Sequence, residues 1–279
     1  MAIPYDIHMH SSFSEDSDTP MQEMVSAAMK KGLSGICFTE HMDLEYPPCS
    51  SPANAQAFEA DPDAEYKEIL RLRSLHPSIR IGFGLEFGMQ ERLSGRFHEI
   101  AARFPLDFIL ASQHLVGRLD PYFPEAWEGR TRGEMVESYY TEMLSNLKTM
   151  QDWDSLAHMD YIIRYIPDRK NDVYDSMRYH GDVIDEILRY VIAEGKCLEV
   201  NTAGYRHGLG QPNPSPAILK RYRELGGRYI TVGADAHKPE QIAYAYDQAL
   251  RLLRSLGFDT VCVFEGRRMR EFQLFSISS

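Results

Sequence analysis

Short apolar runs alternate with longer amphipathic stretches through almost the whole chain, and run after run ends in or just before a histidine or an acid. The runs are Tyr5 to His8, Gly35 to Thr39, Ile79 to Glu86, Phe108 to Ser112, Ser155 to His158, Cys197 to Asn201 and Tyr229 to Gly233. Helix-patterned stretches separate them at Pro20 to Lys31, Ala64 to Leu75, Glu91 to Ala102, Arg132 to Thr149, Asp175 to Glu194 and Ser215 to Leu225, and Pro239 to Leu256 follows the seventh run. This alternation predicts repeated β/α units around a parallel sheet, and ligand-type residues at the same end of successive strands predict a barrel whose rim holds a multi-metal site. Thr19 before Pro20, Gly32 after Lys31 and Gly195 after Glu194 mark helix boundaries. The last apolar runs, Thr260 to Phe264 and Phe272 to Phe275, have no helix-length segment after them and read as a terminal hairpin.

The 279 residues suit one barrel, for which about 250 are typical, and no linker composition, repeat or low-complexity tract divides them. Residues 1–279 are therefore read as a single domain. With 43% hydrophobic and 25% charged residues the composition is that of a globular protein. No apolar stretch approaches the ~20 residues of a membrane span, and the N-terminus lacks a signal-peptide pattern, so a cytoplasmic location is expected. The net charge of −11 disfavours nucleic acid and anionic membrane as partners, while leaving room for a small phosphorylated substrate. Cys37, Cys49, Cys197 and Cys262 are widely spaced and form no C-x-x-C pair, which predicts buried free thiols over a disulfide framework.

His8 and His10 stand two apart at a strand end, so both side chains leave one face. Asp235 and His237 repeat that spacing at the last strand, and barrel closure would bring the two pairs side by side. Glu86 ends a glycine-containing run, and a buried carboxylate there needs cations. His41, His114 and His158 hold equivalent places. Taken singly, each is more often a structural histidine; their recurrence favours ligation. His76, His98 and His180 lie in or beside helical stretches and are expected to face solvent or cap. His207, on the loop after the sixth strand, is a candidate substrate contact. The loops Asp43 to Pro62 and Gly117 to Arg130, the latter with Tyr122, Phe123 and Trp127, follow ligand-bearing strand ends where barrel enzymes keep substrate contacts.

The segments Asp6-x-His8-x-His10-Ser11-x-Phe13-Ser14-x-Asp16-Ser17, Thr39-Glu40-His41, Gly84-x-Glu86, Ser112-x-His114, His158-x-Asp160 and Gly233-x-Asp235-x-His237 resemble, in order, the motifs of the PHP (polymerase and histidinol phosphatase) superfamily. The compact length and the Asn201-Thr202-Ala203-Gly204 segment are similar to the monofunctional histidinol-phosphate phosphatases. The resemblance implies a distorted (β/α)7 TIM-like barrel holding three divalent transition-metal ions (Zn, Mn or Fe). His8, His10, Glu86 and Asp235 would hold the first, Glu86, His114 and His158 the second, and Asp16, His41 and His237 the third, with Glu15 or Asp18 as alternatives to Asp16.

Such a cluster would lower the pKa of a shared water enough to supply hydroxide near neutral pH for in-line attack on a phosphate ester. The implied reaction is hydrolysis of L-histidinol phosphate to L-histidinol and phosphate. Arg164 and Arg206 are the candidates for neutralising phosphoryl oxygens, with Arg118 a third. A metal-bound water, Asp235, His237 or His207 is expected to handle the leaving-group proton, and Glu45, Tyr46 and Tyr122 are candidate contacts to the rest of the substrate. The competing readings are a phosphoesterase for another small monoester or nucleotide, an amidohydrolase-type barrel, and a noncatalytic metal-binding module.

Overall fold

The computed structural model describes residues 4–47, 58–167 and 174–274. Its parallel strands are β1 (Tyr5–Asp6), β2 (Gly35–Met42), β3 (Arg80–Gly88), β4 (Phe108–Ser112), β5 (Ser155–Leu156), β6 (Cys197–Asn201) and β7 (Ile230–Gly233), each paired with its neighbour in chain order. The helices α1 (Met21–Lys30), α2 (Pro62–Leu75), α3 (Ser94–Arg103), α4 (Arg132–Thr149), α5 (Ser176–Ala193), α6 (Ala203–Arg206), α7 (Pro216–Glu224) and α8 (Tyr246–Ser255) accompany them. Closure between first and last strands rests on a short bridge, with His10 N–H donating to Ala236 O at 2.8 Å. The buried Asp6 carboxylate strengthens that seam by accepting from Ala234 N–H (3.0 Å) and Ala243 N–H (2.8 Å). The architecture is a barrel of β/α units, as the alternation predicts, in the distorted (β/α)7 form that the family resemblance implies.

Strands covered on both faces carry continuous apolar sequence, and β2 is buried along its whole length. The main core lies between strands and helices and includes Phe38, Phe83, Leu85, Tyr139 and Leu188. A smaller cluster of Ile7, Cys37, Phe108, Leu110, Ala157 and Val263 forms a second core. Val263 comes from the antiparallel hairpin β8 (Thr260–Glu265) and β9 (Arg268–Gln273). Phe264 stacks on Phe108 at the start of β4, and Phe272 meets Tyr5 at the start of β1, both with centroids 5.0 Å apart. The hairpin thus covers the N-terminal ends of the strands and leaves the C-terminal ends for chemistry.

Gly32 (φ 71°) and Gly195 (φ 63°) follow the ends of α1 and α5 in left-handed conformation, as their positions predict. Thr19 differs: its hydroxyl does not cap α1 but donates to the His237 carbonyl (3.0 Å), tying that helix to the last strand end. The helix expected over Pro239 to Leu256 is broken into a 3-10 turn and α8, because the Ala243 N–H is taken by Asp6 and both Ala243 and Ala245 have positive φ. Cys37, Cys197 and Cys262 are buried free thiols, whereas Cys49, part of the Asp43 to Pro62 loop and Phe275 fall outside the described residues. Among the described residues no helix is long and apolar enough to cross a membrane.

Candidate metal centre

The pairing of β2 with β3 sets His41 beside Glu86 in register, and closure of the seam brings the chain after β1 against the chain after β7. Four donors consequently face one another on the barrel floor. His8 Nε2 lies 3.5 Å from Glu86 Oε2 and 3.7 Å from Asp235 Oδ1; His10 Nε2 lies 3.4 and 3.5 Å from the same two oxygens. Donors about 2.0–2.1 Å from a tetrahedral zinc stand roughly 3.3 Å apart, so this spacing is close to that of a ligand shell. Neither Nε2 atom has a hydrogen-bond partner, although both are buried. An orphaned imidazole nitrogen in such a place is costly unless its lone pair meets a cation, and the donor set fits one.

Glu86 extends the cage. Its Oε1 lies 3.3 Å from His114 Nε2 and 2.8 Å from His158 Nε2, so its two oxygens face two groups of imidazoles. A third group stands at the mouth: Asp16 Oδ2 is 3.4 Å from His41 Nε2 and 3.0 Å from His237 Nε2. Of the three acids in that loop, Asp16 is the one whose carboxylate meets these rings. His41 also turns Nδ1 toward Glu86 Oε2 (3.1 Å), linking the mouth to the floor. His158 (φ 21°) and Asp235 (φ 52°) have the positive φ that is uncommon outside glycine, a backbone feature that clusters at functional positions. That turn ends β5 two residues before His158, short of the strand the sequence predicts.

Charge is arranged to suit cations. For Glu86, burial pushes the carboxyl up but is overcome by His8, His114 and His41, leaving it well below the ordinary range. Asp235 is likewise buried yet held low by His8, His10 and Arg164. Burial, reinforced by the charges of His41 and His237, lowers His10 to about 3, which keeps its ring neutral and able to ligate. Burial opposes protonation of His114, but Asp43 and Glu86 raise it to about 10. These values belong to the metal-free chain, where protons occupy the places cations would take.

Asp43 and Glu199, outside the motifs, and Ser112, Glu40 and Ser14, within them but given no role from sequence, brace this centre. Asp43 Oδ1 accepts from His114 Nδ1 at 2.7 Å, Ser112 Oγ donates to Glu86 Oε1 at 2.6 Å, and Glu199 Oε1 sits 2.6 Å from His8 Nδ1. Glu40 accepts from Ser14 Oγ (2.5 Å), which lies 3.3 Å from His10 Nδ1. Their signal was present as charged residues inside otherwise buried strands or two residues past a ligand, since such groups need partners.

The floor opens into a cavity of about 520 Å³ lined by Asp16, His41, Glu86, His114, His158, Asp235 and His237 together with Arg164, Arg206 and His207. Arg164 is buried and donates from Nε to Asn213 (2.9 Å), from Nη2 to Asn201 (3.1 Å) and from Nη1 to Asp235 Oδ2 (3.3 Å). Arg206 donates to the carbonyls of Ala234 (3.1 Å) and Asp235 (2.8 Å). Burial, with Arg164 nearby, lowers His207 to about 4. Tyr46, Phe58, Tyr122, Phe123 and Tyr165 line the outer wall with Asp43 and Asp120. Two expected contacts are not brought in. Arg118 is exposed and outside the described lining, because the turn joining Val116 to Leu119, with Gly117 at φ 66°, carries it away. Glu45 is exposed and engaged by Arg92 and, at 3.0 Å, Arg96. Trp127 is buried, donating to Pro121 O (2.8 Å), and serves the loop's own packing.

Comparison with known proteins bears on the family and the fold. The family model described as PHP domain matches residues 6–203. A Clostridium acetobutylicum protein named "Probable histidinol-phosphatase" is 34% identical over 266 residues, covering 95% of this chain and 98% of its own. A Lactococcus lactis subsp. lactis protein named "Histidinol-phosphatase" is 28% identical across 95% of both chains. A crystal structure of histidinol phosphate phosphatase from Lactococcus lactis subsp. lactis, complexed with zinc, L-histidinol and phosphate, superposes with a TM-score of 0.87 at 28% identity, covering 96% of this chain and 99% of that one.

Proposed function

The chain belongs to the PHP domain family, and we propose that it is a metal-dependent phosphatase that hydrolyses L-histidinol phosphate to L-histidinol and inorganic phosphate. The observation that carries this reading is the buried Glu86, ringed by imidazoles whose Nε2 atoms at His8 and His10 lack a protein partner, at the base of a substrate-sized cavity. His8, His10, Glu86 and Asp235 would hold one divalent transition-metal ion, Glu86, His114 and His158 a second, and Asp16, His41 and His237 a third. Imidazole and carboxylate donors suit zinc, manganese or iron. When bound, the ions supply a water acidic enough to attack phosphorus near neutral pH and positive charge for the phosphoryl oxygens.

The chain's own residues do the rest. Asp235, held ionised and braced by Arg164, stays in the ligand set, and the attacking water's proton passes to the leaving alkoxide as the old P–O bond breaks by way of His207 or His237, which line the same cavity. Each Nη of Arg164 makes a single contact within the protein, so both retain an N–H for a phosphoryl oxygen; Arg206, tied to two carbonyls, presents its remaining donors beside it. His237 is oriented through Nδ1 to the Asp235 carbonyl (3.0 Å), which points Nε2 at Asp16. His207, neutral at pH 7, offers a hydrogen bond without adding charge. Aromatic rings and the carboxylates of Asp43 and Asp120 suit an alcohol that carries an imidazole and an ammonium group. The test is turnover of histidinol phosphate against a panel of sugar phosphates and nucleotides by the zinc-loaded protein. A preference of at least about tenfold, or 1.4 kcal/mol in transition-state binding, is expected; a smaller one overturns the assignment.

A further inference from the structure

Glu199, on β6, makes no contact with the cavity, yet both of its oxygens are committed to the metal centre from behind. Oε1 lies 2.6 Å from His8 Nδ1, while Oε2 accepts from the His158 backbone N–H (2.9 Å) and from Asn201 Nδ2 (3.2 Å). The side chain is almost fully buried. Gly233 makes room for it: a Cβ there would stand 2.7 Å from Glu199 Oε1 and 2.3 Å from His8 Cβ. One carboxylate therefore touches His8, from the first group of ligands, and the positive-φ backbone of His158, from the second.

We infer that Glu199 is a positioning residue that fixes His8 in the Nδ1–H tautomer, so that the Nε2 lone pair faces Glu86 and Asp235, while it holds His158 in its positive-φ turn. The tautomer follows from hydrogen-bond direction. Oε2 already accepts from His158 N–H and the Asn201 amide, so the carboxylate acts as acceptor on both sides and His8 Nδ1 carries the proton in a contact this short. The Asn201 amide also approaches that nitrogen, but only at 3.5 Å. The other end of the carboxylate is locked as well. Asn201 Oδ1 accepts from Arg164 Nη2 (3.1 Å) and Ala203 N–H (3.0 Å), so the group Asn201 turns toward Glu199 Oε2 is its NH2. Oε2 thus faces two donors that cannot reverse, and Oε1 faces one ring that can.

This asymmetry makes glutamine an informative replacement. In Glu199→Gln the amide oxygen must face His158 N–H and Asn201, which turns the new NH2 toward His8 Nδ1. That ring is then driven to the Nε2–H tautomer, with a proton where a cation's lone pair is needed. A residue that merely fills space would tolerate this near-isosteric change. The expected result is a fall in zinc affinity of about ten- to a hundredfold in chelator competition, with one fewer ion retained per chain, a loss no smaller than that in Glu199→Ala, and little change in the melting temperature of the metal-free chain. Zinc affinity in E199Q within threefold of the parent, or clearly better than in E199A, overturns the inference. If E199Q does not fold, histidine 15N spectra of the zinc-loaded wild type decide: a proton on His8 Nδ1 is expected, and its absence overturns the role. The inference rests on the metal reading of the site, and the two fail differently, since a wild type that retains no zinc contradicts that reading itself.

Discussion

Around His8, His10, Glu86 and Asp235 every side chain is buried and braced from behind, whereas Asp16, His41 and His237 stand at the mouth, with the Asp16 side chain 40% exposed. The floor is preorganised: Glu199, Ser112, Arg164 and the Glu40–Ser14 pair set orientation before any ion arrives. The mouth is held at His237, whose Nδ1 faces the Asp235 carbonyl, whose N–H donates to Gln241 and whose own carbonyl accepts from Ser17 and Thr19, but the Asp16 carboxylate there stays partly exposed. Rigid buried donors suit a tightly held ion, and partly exposed ones suit an ion that shares its coordination with substrate and water. For the proposed ligand sets, the difference predicts tight metal retention at the floor and substrate engagement at the mouth.

Removing the carboxylate common to the floor groups should break the centre most completely. Glu86→Ala is expected to lower turnover by on the order of 10³-fold, as loss of several kcal/mol of transition-state stabilisation implies, and to lower zinc content by more than one ion per chain. Steady-state kinetics with metal analysis checks both, and an E86A protein with near-normal turnover contradicts the shared-ligand role. Arg164→Met comes next. It removes donors to phosphate and the brace on Asp235, for which a loss of about 10²-fold in kcat/KM is expected; a change confined to thermal stability would reduce Arg164 to a structural strut. Asp16→Ala should do least to turnover, roughly tenfold at saturating zinc, but should sharply raise the zinc concentration needed for half-maximal rate. If it costs as much as Glu86→Ala, the division into floor and mouth fails.

A smaller effect concerns pH. His114 in the metal-free chain is raised to about 10 from an ordinary 6.5, burial opposing and Asp43 with Glu86 prevailing. A raised histidine contributes stability that is full below its unfolded pKa and lost as pH climbs through the folded one. The metal-stripped chain should therefore lose this contribution between about pH 6.5 and 10, whereas zinc loading, which replaces the proton, should remove the dependence. Melting temperatures of the wild type and of His114→Ala across that window test this, since the variant should show a weaker decline.

The barrel was legible because its cause is local. Each strand is a short apolar run, each helix an amphipathic one, and the ligands lie at or just past the strand ends. The centre was legible as a set of donors, from His8 to His237, because histidines and acids recur at the same end of successive buried strands, where charged groups need partners. The carboxylates behind the rings were harder to read. Asp43 and Glu199 are ordinary acids in sequence, and only register and closure bring them to His114 and His8. Arg118 misleads for the same reason, since proximity to His114 along the chain says nothing about the turn at Gly117 that carries it outward. The helix after β7 fails because Asp6, more than two hundred residues earlier, takes an amide that helix propensity alone would assign to the helix.

The most direct test is to titrate the stripped, full-length chain with zinc while following bound metal by elemental analysis and hydrolysis of histidinol phosphate in the same samples. The expected result is more than one tightly retained ion per chain, with turnover absent in the stripped protein and rising as the sites fill. A metal-free chain with full activity, or saturation at one ion or fewer, contradicts a multi-metal centre built around Glu86.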